Sequence, residues 1–132
     1  MSPEPLPEDI RAFVSEHIRS LRGLEMLLVL QDDAARDWTA GQLSSELRAA
    51  PQWAEAELQF FAERGLLARS ESDPDCYRYA PTRLELANAV TALSALYPAR
   101  RFSIIEVIFS APSESVRRFS DAFRLRKEKP DG

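Results

Sequence analysis

A helical pattern from Pro51 to Arg64 stops at Gly65, and two short β-prone runs follow it at once. No other stretch constrains the fold as tightly. Pro51 suits the first turn of a helix, where a missing N–H costs nothing. Gly65 suits the left-handed residue that closes one, with Leu66 folding back on Phe61. The runs 67–70 and 76–80 read as strands, and Glu71-Ser72-Asp73-Pro74-Asp75 between them is turn chemistry. Residues 66–81 are therefore expected to form an antiparallel hairpin directly behind a helix.

The rest of the chain reads as helix. Pro3, Pro5 and Pro7 make an extended leader. One helical pattern then runs from about Glu8 to Gln31, with Gly23 as the place for a break. The apolar run Leu24, Met26, Leu27, Leu28, Val29 and Leu30 marks a central buried helix. Thr39 and Gln42 form a capping box, with Trp38 and Leu43 as the hydrophobic staple, and they start a short helix over 40–49. Thr82 and Glu85 repeat the box ahead of a helix reaching about Tyr97, where Pro98 interrupts it. Further helices are expected over 101–110 and 112–127. The expected fold is mainly α with a small β-hairpin.

Composition excludes several classes of function. The 132 residues are 45% hydrophobic and 29% charged, as in a globular domain. No run of 18 apolar residues is present, so no membrane span is expected. The first ten residues carry Glu4, Glu8 and Asp9 and no base, unlike a secretory signal, so a cytoplasmic location is expected. A single cysteine, Cys76, precludes an internal disulfide and reads as a small packing residue in a strand. His17 is the one histidine and has no nucleophile at fixed spacing. The glycines are too scattered for a phosphate loop. Paired acids, Asp32-Asp33 and Glu55/Glu57, read as solubilising charge. No enzyme activity, metal or cofactor is expected.

The order of elements, and the segments "WTAGQLSSEL", "WAEAELQFFAERGLLAR" and "YRYAP" within residues 24–81, resemble the winged helix-turn-helix domain of bacterial transcriptional regulators. The resemblance implies a supporting helix, a recognition helix leaving through Gly-Leu-Leu, and a returning wing strand. It divides the chain into a leader and helix (1–23), a winged-helix domain (24–81) and C-terminal helices (82–132). In that family the exposed face of the second helix enters the major groove. Its DNA contacts carry over to Gln52, Gln59, Arg64, Arg69 and Arg78.

At 100° per residue, Ala54, Leu58, Phe61 and Ala62 share one side of the Pro51–Arg64 helix, which should be the core. Gln52, Glu55, Ala56, Gln59, Phe60 and Glu63 face the other way. The glutamines suit base reading, whereas Glu55, Glu63 and Phe60 do not. Trp53, Ala56 and Phe60 form a second apolar stripe, either packed under C-terminal helices or open to a protein. Acids also crowd the hairpin tip. Residues 1–81 carry 8 Arg and 15 Asp plus Glu, net −7, and residues 82–132 carry 9 Arg plus Lys and 6 acids, net +3.

Residues 102–109 are apolar nearly all round a helix, which must then be buried on most sides. Phe102, Ile105 and Phe109 are candidates for a homodimer interface, the role the resemblance implies for helices outside the wing. Val116, Phe119 and Phe123 continue the apolar theme among Arg117, Arg118, Arg124, Arg126, Lys127 and Lys129. The function expected from the resemblance is that of a winged-helix transcriptional regulator that binds double-stranded DNA as a dimer. The alternative is a winged-helix adaptor that binds a protein partner and no DNA, which the charge and the Trp53/Phe60 stripe favour.

Overall fold

The computed structural model describes residues 6–110. Within them lie six helices and a three-stranded antiparallel sheet. The elements are α1 (Glu8–His17), α2 (Leu21–Asp32), β1 (Trp38–Thr39), α3 (Ala40–Leu47), α4 (Pro51–Glu63), β2 (Leu67–Arg69), β3 (Cys76–Tyr79), α5 (Leu84–Leu96) and α6 (Arg101–Ser110). Among the described residues no helix is long and apolar enough to cross a membrane.

The N-terminal helical pattern is divided into two helices. The break falls at Ile18–Ser20 rather than at Gly23. Ser20 caps α2 by accepting a hydrogen bond from the Gly23 amide, so Gly23 sits in the first turn of α2. The apolar run is the buried helix expected of it: Leu24, Met26, Leu27 and Leu30 are wholly inaccessible.

The Thr39 box forms as expected. Thr39 Oγ1 accepts from the Gln42 amide at 3.1 Å, and Gln42 Oε1 accepts from the Thr39 amide at 3.0 Å. The staple residues Trp38 and Leu43 are both buried. Helix α3 ends earlier than expected, at Leu47, because Arg48 takes a left-handed conformation at φ 56°. Arg22 donates to the carbonyls of Leu47 and Arg48, which places a cation at the negative end of α3.

Helix α4 closes as Gly65 requires. Gly65 has φ +81°, its amide donates to the Ala62 carbonyl, and the Leu66 amide donates to the Phe61 carbonyl. These two bonds define a Schellman end. The hairpin pairs Leu67 with Tyr79 and Arg69 with Tyr77, and each strand stops one residue short of its expected end. The sequence reading missed β1, which pairs Trp38 with Tyr77 and Thr39 with Cys76. The sheet order is therefore β1-β3-β2, with α3 and α4 packed on each other.

The second capping box does not form. Helix α5 starts at Leu84, and Arg83 occupies its N-cap without a side-chain hydrogen bond. Thr82 is engaged elsewhere: its amide donates to the Gly65 carbonyl at 2.8 Å. Its side chain also lies against Gly65, where a Cβ would stand 2.6 Å from Thr82 Oγ1. Helices α5 and α6 both pack on α1. Helix α6 spans the expected range but is not buried all round. Ile104 and Val107 are buried, while Phe102 and Phe109 are 86% and 75% exposed. The expected helix over 112–127, with Val116, Phe119 and Phe123, lies outside the described residues, as does the leader through Pro5.

Candidate interaction face

Helix α4 and the hairpin together present the face on which the candidate contacts fall. Ala54, Leu58 and Phe61 point into the core and are fully buried, and Ala62 is half-buried. Gln52, Ala56, Gln59 and Glu63 are exposed on the opposite side. The rotation of α4 is thus the one its apolar spacing dictates.

The polar groups of this face are largely bound to one another. Tyr77, buried in β3, donates its hydroxyl to Glu55 Oε2 at 3.1 Å. Gln59 Nε2 donates to the same oxygen at 2.9 Å. Glu55 therefore ties α4 to the central strand. Burial, followed by this hydrogen bond and the Glu55 charge, raises the Tyr77 pKa above that of a free phenol.

The candidate cations are engaged in the same way. Arg69 donates to the Pro74 carbonyl at 2.7 Å across the hairpin turn and lies over the Tyr77 ring at 4.8 Å. Arg78 stands 4.0 Å from Asp37 Oδ1. Arg64 lies 5.1 Å from the centre of the Phe60 ring. At the tip, Asp73 accepts from the Asp75 amide and from the Cys76 thiol, so it builds the turn. Burial first, then the hydrogen bond to Asp73 and the charges of Asp73, Asp37 and Asp75, raise the Cys76 thiol above its usual pKa.

The Trp53/Ala56/Phe60 stripe is less open than its residue types suggest. Trp53 and Phe60 are half-buried against the core. The Arg19 guanidinium covers Phe60 at 3.9 Å from the ring centre. This cover comes from the α1–α2 link. Arg19 is held there by Glu57, whose Oε2 it meets at 2.5 Å.

Glu57 is not solubilising charge. It is 3% exposed, and its Oε1 has no hydrogen-bond partner. A Cβ on Gly23 would lie 2.9 Å from that oxygen. The carboxylate thus approaches the first turn of α2 where only glycine leaves room, at the positive end of the helix dipole. The sequence did carry a signal for this burial. Glu57 completes an i, i+3, i+4, i+7 stripe with Ala54, Leu58 and Phe61. His17 follows the same logic after Ile10, Phe13 and Val14. It is 8% exposed, its ring centre lies 4.7 Å from that of Phe13, and its Nδ1 has no partner. Burial, and then the Arg64 charge, lower its pKa.

A groove of about 580 Å³ runs between α1 and α5, lined by Phe13, Leu86 and Ala89 with Asp9, Glu16 and Glu85. His17 also lines it. The outward stripe of α6 is a separate feature: Phe102 and Phe109 are exposed and Ile105 is half-buried. The chain matches no protein-family model, no curated protein and no solved structure.

Proposed function

We propose that this chain is a winged helix-turn-helix module whose α4–wing face engages a protein of basic character. The fold reading rests on α3 and α4 packed together, the Gly65 exit, and a hairpin completed by β1 in the order β1-β3-β2. One observation carries the choice of ligand. Arg64, Arg69 and Arg78 each have an intramolecular partner, while Glu63, Glu71 and Asp75 stand exposed around them. Binding duplex DNA depends on neutralising phosphates with available cations. This face has a surplus of acid instead.

A second reading, a dimeric DNA-binding regulator, is favoured by two features. Gln52 and Gln59 are exposed where the family reads bases. The open α6 stripe of Phe102, Ile105 and Phe109 suits pairing with a second copy, which would set two heads on a palindrome.

The deciding experiment is a salt titration of the full chain on duplex DNA fragments, with Glu55→Gln/Glu63→Gln alongside. The protein reading expects no binding even at low salt. Binding that weakens with a log–log slope of about −0.9 per phosphate, and tightens in the variant, would overturn it.

A further inference from the structure

Helix α1 ends on a buried histidine. His17 is its last residue, and Ile18, the C-cap, turns the chain into the short link that reaches Ser20. The ring packs on Phe13 and lines the groove between α1 and α5. Its two nitrogens differ. Nε2 stands 3.8 Å from the exposed carboxylate of Glu16. Nδ1 is buried and has no hydrogen-bond partner.

This asymmetry suits the neutral ring alone. A neutral imidazole carries one proton, which Nε2 can hold, and leaves Nδ1 as a bare lone pair. A second proton would make a charged N–H at Nδ1 that meets neither an acceptor nor water, and a buried donor of that kind is costly. The charges around the ring add to the cost. Arg64 acts on it from the end of α4 and Arg83 from the start of α5, while Glu16 opposes them. Asp9 and Glu85 line the same groove, and Arg83 stands 3.5 Å from Glu85. Helix α6, which also packs on α1, carries Arg101 and Glu106 at exposed positions. Burial first, and the Arg64 charge next, hold the ring below the ordinary histidine pKa.

We infer that His17 is a proton-operated latch: neutral, it seals the end of α1 in place; protonated, it leaves its site, and the last turn of α1 opens together with the link that follows. A terminal turn opens at lower cost than the middle of a helix. The link matters because Arg19 stands on it. The Arg19 guanidinium covers Phe60 on α4 and meets Glu57. Acidification therefore loosens the cover of the α4 face, whatever that face binds. Above about pH 6.5 the closed and the open ring are both neutral, and the latch holds. Below it the open ring takes up the proton first. The open population then rises about ten-fold per pH unit until the buried ring titrates as well.

The test uses the full chain between pH 7.5 and 5. His17 is the one histidine, so NMR follows its ring without ambiguity. Hydrogen exchange, corrected for the intrinsic pH dependence of amide chemistry, reports opening over residues 15–20. A His17 midpoint below that of a free histidine is expected. Protection over 15–20 should fall about ten-fold per pH unit beneath pH 6.5, while that over 54–61 in α4 stays constant. His17→Leu should make the 15–20 profile flat. Arg64→Gln keeps the ring and should raise its midpoint, by more than Arg83→Gln does. A wild-type midpoint at or above that of free histidine would overturn the inference. So would a loss of protection that persists in His17→Leu, or one that spreads equally through α4, which is global unfolding rather than a latch.

Discussion

Glu55 and Glu57 stand two positions apart on α4 and serve opposite sides of it. Glu57 turns inward, takes one guanidinium from Arg19, and keeps an unpartnered oxygen against Gly23. Glu55 turns toward the hairpin and gathers a phenol and an amide on one half-exposed oxygen. The inner carboxylate is costly to disturb because water cannot replace what it loses. The outer one can exchange partners with solvent at little cost. Identical side chains on one helix therefore separate into a structural anchor and a surface tie, and the difference is burial alone.

Four single substitutions, two of them set against a compensating or background change, test that contrast by denaturant unfolding, from the deepest to the shallowest. Arg19→Ala strands Glu57 in the interior and should lose about 3 kcal/mol, the low end for breaking a buried pair because Arg19 is partly exposed. Arg19→Met with Glu57→Leu should regain most of that loss, since neither charge then remains to be desolvated. If the single and double variants are equally unstable, the pair is not the anchor described here.

Gly23→Ala comes next. Alanine is favoured in a helix by about 1 kcal/mol, yet its methyl would meet Glu57 Oε1 at 2.9 Å. A net loss of about 1–2 kcal/mol is expected. In a Glu57→Ala background the same change should become stabilising, and a sign that stays negative there would remove Glu57 as the cause. On the outer side, Tyr77→Phe should cost only about 1 kcal/mol, the worth of one hydrogen bond to a half-exposed acceptor. Glu63→Gln, wholly on the surface, should stay within about 0.5 kcal/mol. A Tyr77→Phe loss as large as that of Arg19→Ala would erase the distinction between the two regions.

The parts of the fold legible in the sequence are those fixed by neighbours in the chain. The Gly65 exit, the Thr39 box and the Asp-Pro-Asp turn each need only a few adjacent residues to agree, and all three formed. The parts that were misread depend on distant partners. Thr82 and Glu85 have the spacing of a box, but Gly65 holds Thr82 from across the hairpin. Strand β1 has two residues, too short to show alternation, and exists because β3 offers it an edge. On the interaction face, the spacing located Gln52, Gln59 and the core side of α4. It did not reveal that Arg69 is hydrogen-bonded across the turn, that Arg78 faces a carboxylate or that Phe60 is covered, because Pro74, Asp37 and Arg19 reach them only in three dimensions.

The order β1-β3-β2 also restricts how a partner can attach. A strand from another chain joins a sheet by pairing with a row of free amides and carbonyls along an outer edge. Here the outer strands are β1, with two residues, and β2, with three, while the four-residue β3 is enclosed between them. Edges this short offer little backbone for another chain to extend. The sheet is accordingly a poor template for strand addition or fibre growth. Whatever engages this face must grip side chains, and its specificity then resides in the surface of α4 and the hairpin turn rather than in main-chain pairing.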